Sequence, residues 1–229
     1  MKLGAMRAMG AIGAMGAMGA VGAIGAVGAM VLLMAVPVSA QVGKSLGVVD
    51  ANTASEQVLL AAPNMSAPVV KALIAARPFN GIIELNKFLL SQKLTQEQAN
   101  QFYTKAFVHV NLNTATAEEI MLIPGAGKRM AHEFEEYRPW RNYAHFQKEI
   151  GKYVNQDEVA RLGQYTFIPI NLNTASDADI QTIPGMGARM LHEFKEYRPW
   201  KSIEHFNKEI GKYVDAKEVA RLRRYVTVP

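Results

Sequence analysis

Twice in this chain a proline is followed by Gly-x-Gly and then a basic residue. The first run holds Pro124, Gly125, Gly127, Lys128 and Arg129; sixty positions on stand Pro184, Gly185, Gly187 and Arg189. Such a run suits the holding of an anion. Glycines reach positive φ angles that a side chain resists. At a helix start they also bare backbone N–H groups where the helix dipole favours negative charge. Lys128, Arg129 and Arg189 then fall in the first helical turn, and charge-assisted bonds from them are worth about 1.5–3 kcal/mol each, less when solvated. One hairpin alone grips weakly, whereas two on a rigid body act together through effective concentration. The same residues also suffice for a plain tight turn between helices, and both readings stand at this point.

Other chemistry finds little support. The chain has no Cys, which excludes thiol catalysis and cysteine zinc sites. There is no serine nucleophile with an ordered base and no Walker-type loop. The sequence therefore nominates no catalytic residue, no metal and no cofactor, and reads as a non-enzyme. His132 with Glu136 and His192 with Glu196 stand at i, i+4, yet no third ligand lies at obvious spacing. Trp140 and Trp200 each follow Arg-Pro and read as packing residues, since an earlier stretch has Phe79 there.

The residues that position the hairpins recur with them. Residues 109–169 and 170–229 align without a gap at more than half their positions, and a worn copy precedes them at 48–108. The worn copy keeps Asn-Thr-Ala-Ser, the turn proline, Arg-Pro-Phe and the closing helix. Its Gly-x-Gly has become Asn64-Met65-Ser66.

Each copy reads as four short helices. The first opens at Thr116 or Ser176, with Glu119 or Asp179 three residues on as a capping partner, and stops at Pro124 or Pro184. The second runs from about Gly127 to Tyr137 with Met130, Phe134 and Tyr137 on one face, and Pro139 or Pro199 ends it. A third carries Phe146 and Ile150, or Phe206 and Ile210. The fourth opens on Asn155 with Glu158, Asp215 with Glu218, or Thr95 with Gln98, three capping boxes at matching places. It turns Val159, Leu162 and Tyr165 inward, matched by Val219, Leu222 and Tyr225. Lys217, Arg221 and Arg224 read as a basic stripe on the opposite face, either a solvated face or a further place for phosphate. Short apolar extended links join the copies, so they are expected to pack together. The fold class is all-α.

Residues 1–40 stand apart. Lys2 and Arg7, a long Gly/Ala/Met-rich apolar stretch and the small-x-small end at Val38, Ser39 and Ala40 read as a secretory signal peptide. The stretch is also long enough for an uncleaved membrane anchor. A collagen reading fails because the run lacks proline. The protein is therefore expected outside the cytoplasm, periplasmic or extracellular, touching membrane only if the leader stays on. Cleavage lowers the net charge from +5 to +3. Residues 109–169 carry seven basic against eight acidic residues, including Glu133, Glu135 and Glu136; residues 170–229 carry ten against eight. The last copy is thus the more basic, and the near balance in the middle copy keeps a second reading open: a structural or adaptor protein of the cell envelope with an envelope protein as partner.

Asn-Leu-Asn-Thr-Ala, then Ile-Pro-Gly-x-Gly-x-Arg, then a helix ending in Tyr-Arg closely resembles the helix-hairpin-helix family, in its exported ComEA-like branch. The resemblance runs from Val48 to the end. It implies sequence-independent binding of double-stranded DNA through the backbone, and in ComEA itself DNA capture during uptake. Carried onto this chain, Gly125, Gly127, Lys128 and Arg129 would cradle one phosphate, and Gly185, Gly187 and Arg189 another. A second Gly-x-Gly, usual in the family, is here Ile-Gly-Lys-Tyr-Val with only Gly151 or Gly211. The branch is also similar to an extrinsic photosystem subunit that uses the fold without binding DNA.

Overall fold

The structure, a computed structural model, describes residues 42–228. The leader reading falls on residues 1–40, outside the described residues. Among the described residues the chain is mostly helical, and no helix is long and apolar enough to cross a membrane.

The first block runs β1 (Val49–Asp50), α1 (Glu56–Leu60), α2 (Ala67–Ala76), α3 (Ile82–Ser91), α4 (Gln96–Tyr103) and β2 (Ala106–Phe107). The second runs β3 (Val110–Asn111), α5 (Ala117–Met121), α6 (Lys128–Glu136), α7 (Tyr143–Ile150), α8 (Gln156–Gly163) and β4 (Thr166–Phe167). The third runs β5 (Ile170–Asn171), α9 (Asp177–Gln181), α10 (Ala188–Glu196), α11 (Ile203–Ile210), α12 (Ala216–Arg223) and β6 (Val226–Thr227). The extended links are thus strands as well as connectors. β1 pairs with β2, β3 with β4 and β5 with β6, each in parallel, so every block is closed by its own first and last residues.

Local chemistry explains the boundaries. Thr116 and Ser176 accept the Glu119 and Asp179 amides, and those carboxylates return a bond to the cap backbone. Thr95 and Gln98 do the same at α4. The boxes expected at α8 and α12 are only half formed. Asn155 and Asp215 cap the helix, but Glu158 and Glu218 turn away to arginines one helical turn on. Trp140 and Trp200 are buried, and each indole N–H donates 2.8 Å to the carbonyl of Phe134 or Phe194. Asn113 and Asn173 bracket the same tryptophans by accepting their backbone N–H at 2.6 Å.

The first two blocks share one apolar core, and the third has its own. Aromatic pairs carry packing across the junctions: Phe107 lies 5.0 Å from Tyr165, and Phe167 lies 4.4 Å from Tyr225. A strap at the start of the described chain adds to this. Val42 bridges antiparallel to Phe167 and sits in the third core, while the Leu46 amide donates 3.0 Å to the Gln164 side chain.

A buried polar knot ties first block to third. Asp50 meets His109 Nδ1 at 3.0 Å and accepts the Tyr225 hydroxyl at 3.3 Å, and Arg224 donates 2.9 Å to the His109 carbonyl. Burial alone pushes the Asp50 carboxyl up, but the bond and charge of His109, with Arg221 beyond, outweigh it and hold the group below its ordinary value. A depressed carboxylate contributes stability above its unfolded pKa, near 4, and loses it as pH falls through the lower folded value. Urea melts of Asp50→Asn and the parent should therefore differ fully above about pH 5 and draw together as pH falls below about 4. A gap that persists unchanged at low pH would exclude the ionised carboxylate as its source.

Candidate functional site at the hairpins

The turn before each second helix is built from three parts. Gly125 and Gly185 sit at φ 79° and 77°, the left-handed region, and Asn64 takes the same role at φ 62° in the first block. Above the turn lies a guanidinium from the block's last helix. Arg161 Nη1 donates 2.5 Å to the Pro124 carbonyl, and Arg221 Nη1 donates 2.8 Å to that of Pro184. Each arginine is gripped from behind by a two-pronged bond to Glu158 or Glu218, at 2.6 and 2.7 Å in one and 2.7 Å twice in the other. The diverted glutamates of α8 and α12 thus aim the clamps that hold the hairpins. The first block substitutes an amide: Asn64 donates 2.8 Å to Gln101, which occupies the clamp's place on α4.

This corrects the basic stripe. Arg221 is buried with only 2 % of its side chain exposed, and Arg224 faces His109 and the Phe167 and Tyr225 rings. Burial works against the charge of Arg221, yet the Glu218 carboxylate outweighs it and holds the guanidinium charged, above its usual range. Only Lys217 of the three is exposed. Arg161, which no motif in the sequence singles out, performs the clamp in the second block. Its signal was present in the spacing: Glu158 and Arg161 stand three apart on α8, as Glu218 and Arg221 do on α12.

The second glycine of each pair behaves differently from the first. Gly127 and Gly187 have extended backbone, at φ −95° and −92°, that any residue adopts. A β-carbon built on either meets nothing within 4 Å. Both are the cap residues of nine-residue helices, and no side chain caps α6 or α10. The first amides of those helices thus lack a side-chain acceptor, with the dipole's positive end behind them. Gly125, Gly127, Lys128 and Arg129 are all exposed, as are Gly185, Gly187 and Arg189.

Arg129 and Arg189 do not wave freely. Each guanidinium lies 5.3 Å from the ring centre of Tyr153 or Tyr213, in the Gly-Lys-Tyr-Val turn where no second Gly-x-Gly exists. Those tyrosines share a 2.8 Å hydroxyl contact with Tyr137 and Tyr197. Lys152 and Lys212 lie over the partner rings at 5.0 and 5.3 Å and pair tightly with Glu149 and Glu209. Bonds to Tyr137 and to the buried Glu133 push the Tyr153 hydroxyl up, and Tyr213 is raised in the same way by Tyr197 and Glu193. Of the three acids counted on the second helix, Glu133 is buried, while Glu136 pairs with His132 at 3.4 Å on the exposed side.

The first block lacks this apparatus. Pro68 stands where Arg129 does and removes a helix-start N–H, Ala67 replaces Lys128, and Gln92 takes the place of Tyr153. The turn survives there, and the glycine pair and the basic residues around it do not. The chain matches no protein-family model, no curated protein and no solved structure.

Proposed function

We propose that the chain is an exported, non-enzymatic protein of three tandem helix-hairpin-helix units, at 48–108, 109–169 and 170–229, that holds double-stranded DNA through phosphate oxygens without reading bases. The amides opening α6 and α10 receive the oxygens, and Lys128, Arg129 and Arg189 neutralise their charge. One observation carries the reading: Gly127 and Gly187 are glycines for which the fold has no need. Their backbone is ordinary and the space above them is empty, so the missing side chain leaves room for an approaching partner. In the first block, where Pro68 removes one of the helix-start amides, the equivalent residue is Ser66.

Replacing Gly127 and Gly187 together with serine tests this without breaking the turn. A cap serine accepts an amide of its own helix, so stability should hold or rise slightly, by a few tenths of a kcal/mol. Duplex affinity should fall about a hundredfold as the hydroxyls occupy the oxygens' place, one lost charge-assisted bond at each of the two hairpins being worth about tenfold. Arg129→Ala with Arg189→Ala should lower affinity similarly and flatten the salt dependence by about 0.9 for each phosphate no longer neutralised. Duplex binding that ignores both double variants sinks the hairpin mechanism.

A second reading draws on a different contact. A β-carbon at Gly185 would stand 3.0 Å from the Thr53 methyl, so the third hairpin leans on the first block. An envelope adaptor that uses its hairpins as packing turns accounts for that contact. A titration of labelled duplex at low salt separates the two, because the adaptor gives no signal.

A further inference from the structure

Beyond the far end of α6 lies an open cleft of about 610 Å³, lined by Arg138, Arg141, His145, Lys148 and Glu149 with the ring of Tyr137. It belongs to neither hairpin. Its single carboxylate is already engaged, since Glu149 pairs with Lys152 and that bond, the largest influence on it, lowers its pKa. Arg138 is anchored by donating 2.8 Å to the Leu112 carbonyl and a further bond to Ala115. His145 packs its ring 5.1 Å from Trp140. The cleft therefore gathers cations on a fixed floor: Arg138 and His145 are held by the fold, while Arg141 and Lys148 are exposed, Lys148 lying 3.7 Å from Glu149.

The same set returns in the third block. Arg198, Lys201, His205 and Lys208 hold the matching positions, Arg198 donates 2.7 Å to Ala175, and His205 lies 5.2 Å from Trp200. The first block breaks it. Asn80 replaces Arg141 and Glu84 replaces His145, and the Asn80 backbone and side chain both donate to that carboxylate, at 2.7 and 3.1 Å. Within one molecule, the two blocks that keep Gly-x-Gly keep these four basic residues, although Glu204 stands in the third block where Ala144 lines the cleft of the second, and the block that lost Gly-x-Gly has Glu84 in the histidine's place.

We propose that this cleft in the second block, and the matching residues of the third, form a second phosphate-binding subsite for the same duplex backbone, an inference that rests on the function proposed above. The cleft adjoins the hairpin through Tyr137, whose hydroxyl meets Tyr153 beneath Arg129. From Gly127 to Arg138 the helix path spans about 16 Å at 1.5 Å per residue. Phosphates advance about 3.4 Å along the duplex axis per nucleotide, so the two subsites meet phosphates a few nucleotides apart. Each block then grips the backbone at two points.

The test removes four exposed cations, of which Lys148 makes only a solvent-open 3.7 Å pair with Glu149: Arg141→Ala, Lys148→Ala, Lys201→Ala and Lys208→Ala in one variant. Thermal melting should stay that of the parent. On labelled duplex, the slope of log affinity against log salt should flatten by about 1.8, two phosphates at about 0.9 each, and affinity at low salt should fall roughly tenfold to a hundredfold by the same counting of phosphates. A slope unchanged in this variant, while Arg129→Ala with Arg189→Ala flattens it, overturns the cleft and leaves the hairpins standing. A parent that fails to bind duplex overturns the function and the subsite's duplex partner together. Titration of the protein with inorganic pyrophosphate, followed by NMR at His145 and His205, gives the remaining arm. Shifts there that disappear in the four-cation variant support an anion subsite, and no shift rejects it.

Discussion

Arg221→Met is expected to destabilise the protein by about 3 kcal/mol, at the lower end for breaking a buried ion pair because Glu218 is partly open to water. For a chain of this size that lowers the melting temperature by about 6–12 °C. The loss has two parts. The Pro184 carbonyl forfeits its donor at the hairpin, and Glu218 forfeits a two-pronged partner. Arg161→Met removes the same bonds in the second block from a side chain that is 31 % exposed, against 2 % for Arg221. Water can replace much of what Arg161 gives, so its cost should be about 1 kcal/mol. The comparison is the test: equal shifts for the two, measured by thermal circular dichroism, would mean that burial is not what gives Arg221 its weight.

Gly43→Val carries the other large effect. A β-carbon at Gly43 would lie 1.8 Å from the Gly163 carbonyl oxygen and 2.4 Å from its carbon, backbone that has no room to retreat. The strap must then lift away, taking Val42 out of the third core and breaking the Gly43 amide's 3.2 Å bond to Thr166. About 2 kcal/mol should be lost, within the range for forcing atoms into a packed place. Lys44 follows directly on the strap, so trypsin should cut there many times faster in the variant. An unchanged cleavage rate would show that the strap holds its place by other means. The site is specific to the second block: Tyr103 and Arg223 stand where Gly163 does in the other two, and neither leaves space for a backbone to press on.

What could be read from the residues and what could not divide along a physical line. Helix starts at Thr116, Ser176 and Thr95 and stops at the Pro124 and Pro184 turns are decided within four residues, and the observed helices follow them closely. Mostly helical character was legible for that reason. Arg221 was not, because a basic residue at i+4 from Lys217 looks solvated until a turn 37 residues earlier is folded against it. Glu158 and Glu218 suited a capping box equally well by spacing, and the clamp outcompeted the cap only once that turn was in place. The glycines were legible as a pair but not as individuals. Only the folded backbone separates Gly125, held at positive φ, from Gly127, which is free of strain. The strap left no trace in composition or period, since its partner edge is about 120 residues away.

Parallel pairing of each block's first and last strands has an evolutionary consequence. The peptide leaves a block beside the point where it came in and heading the same way, so a copied segment of about 60 residues inserted at the Ile168–Pro169 joint arrives with both ends already where its neighbours expect them. Gene duplication can therefore lengthen this molecule one module at a time without redesigning any junction.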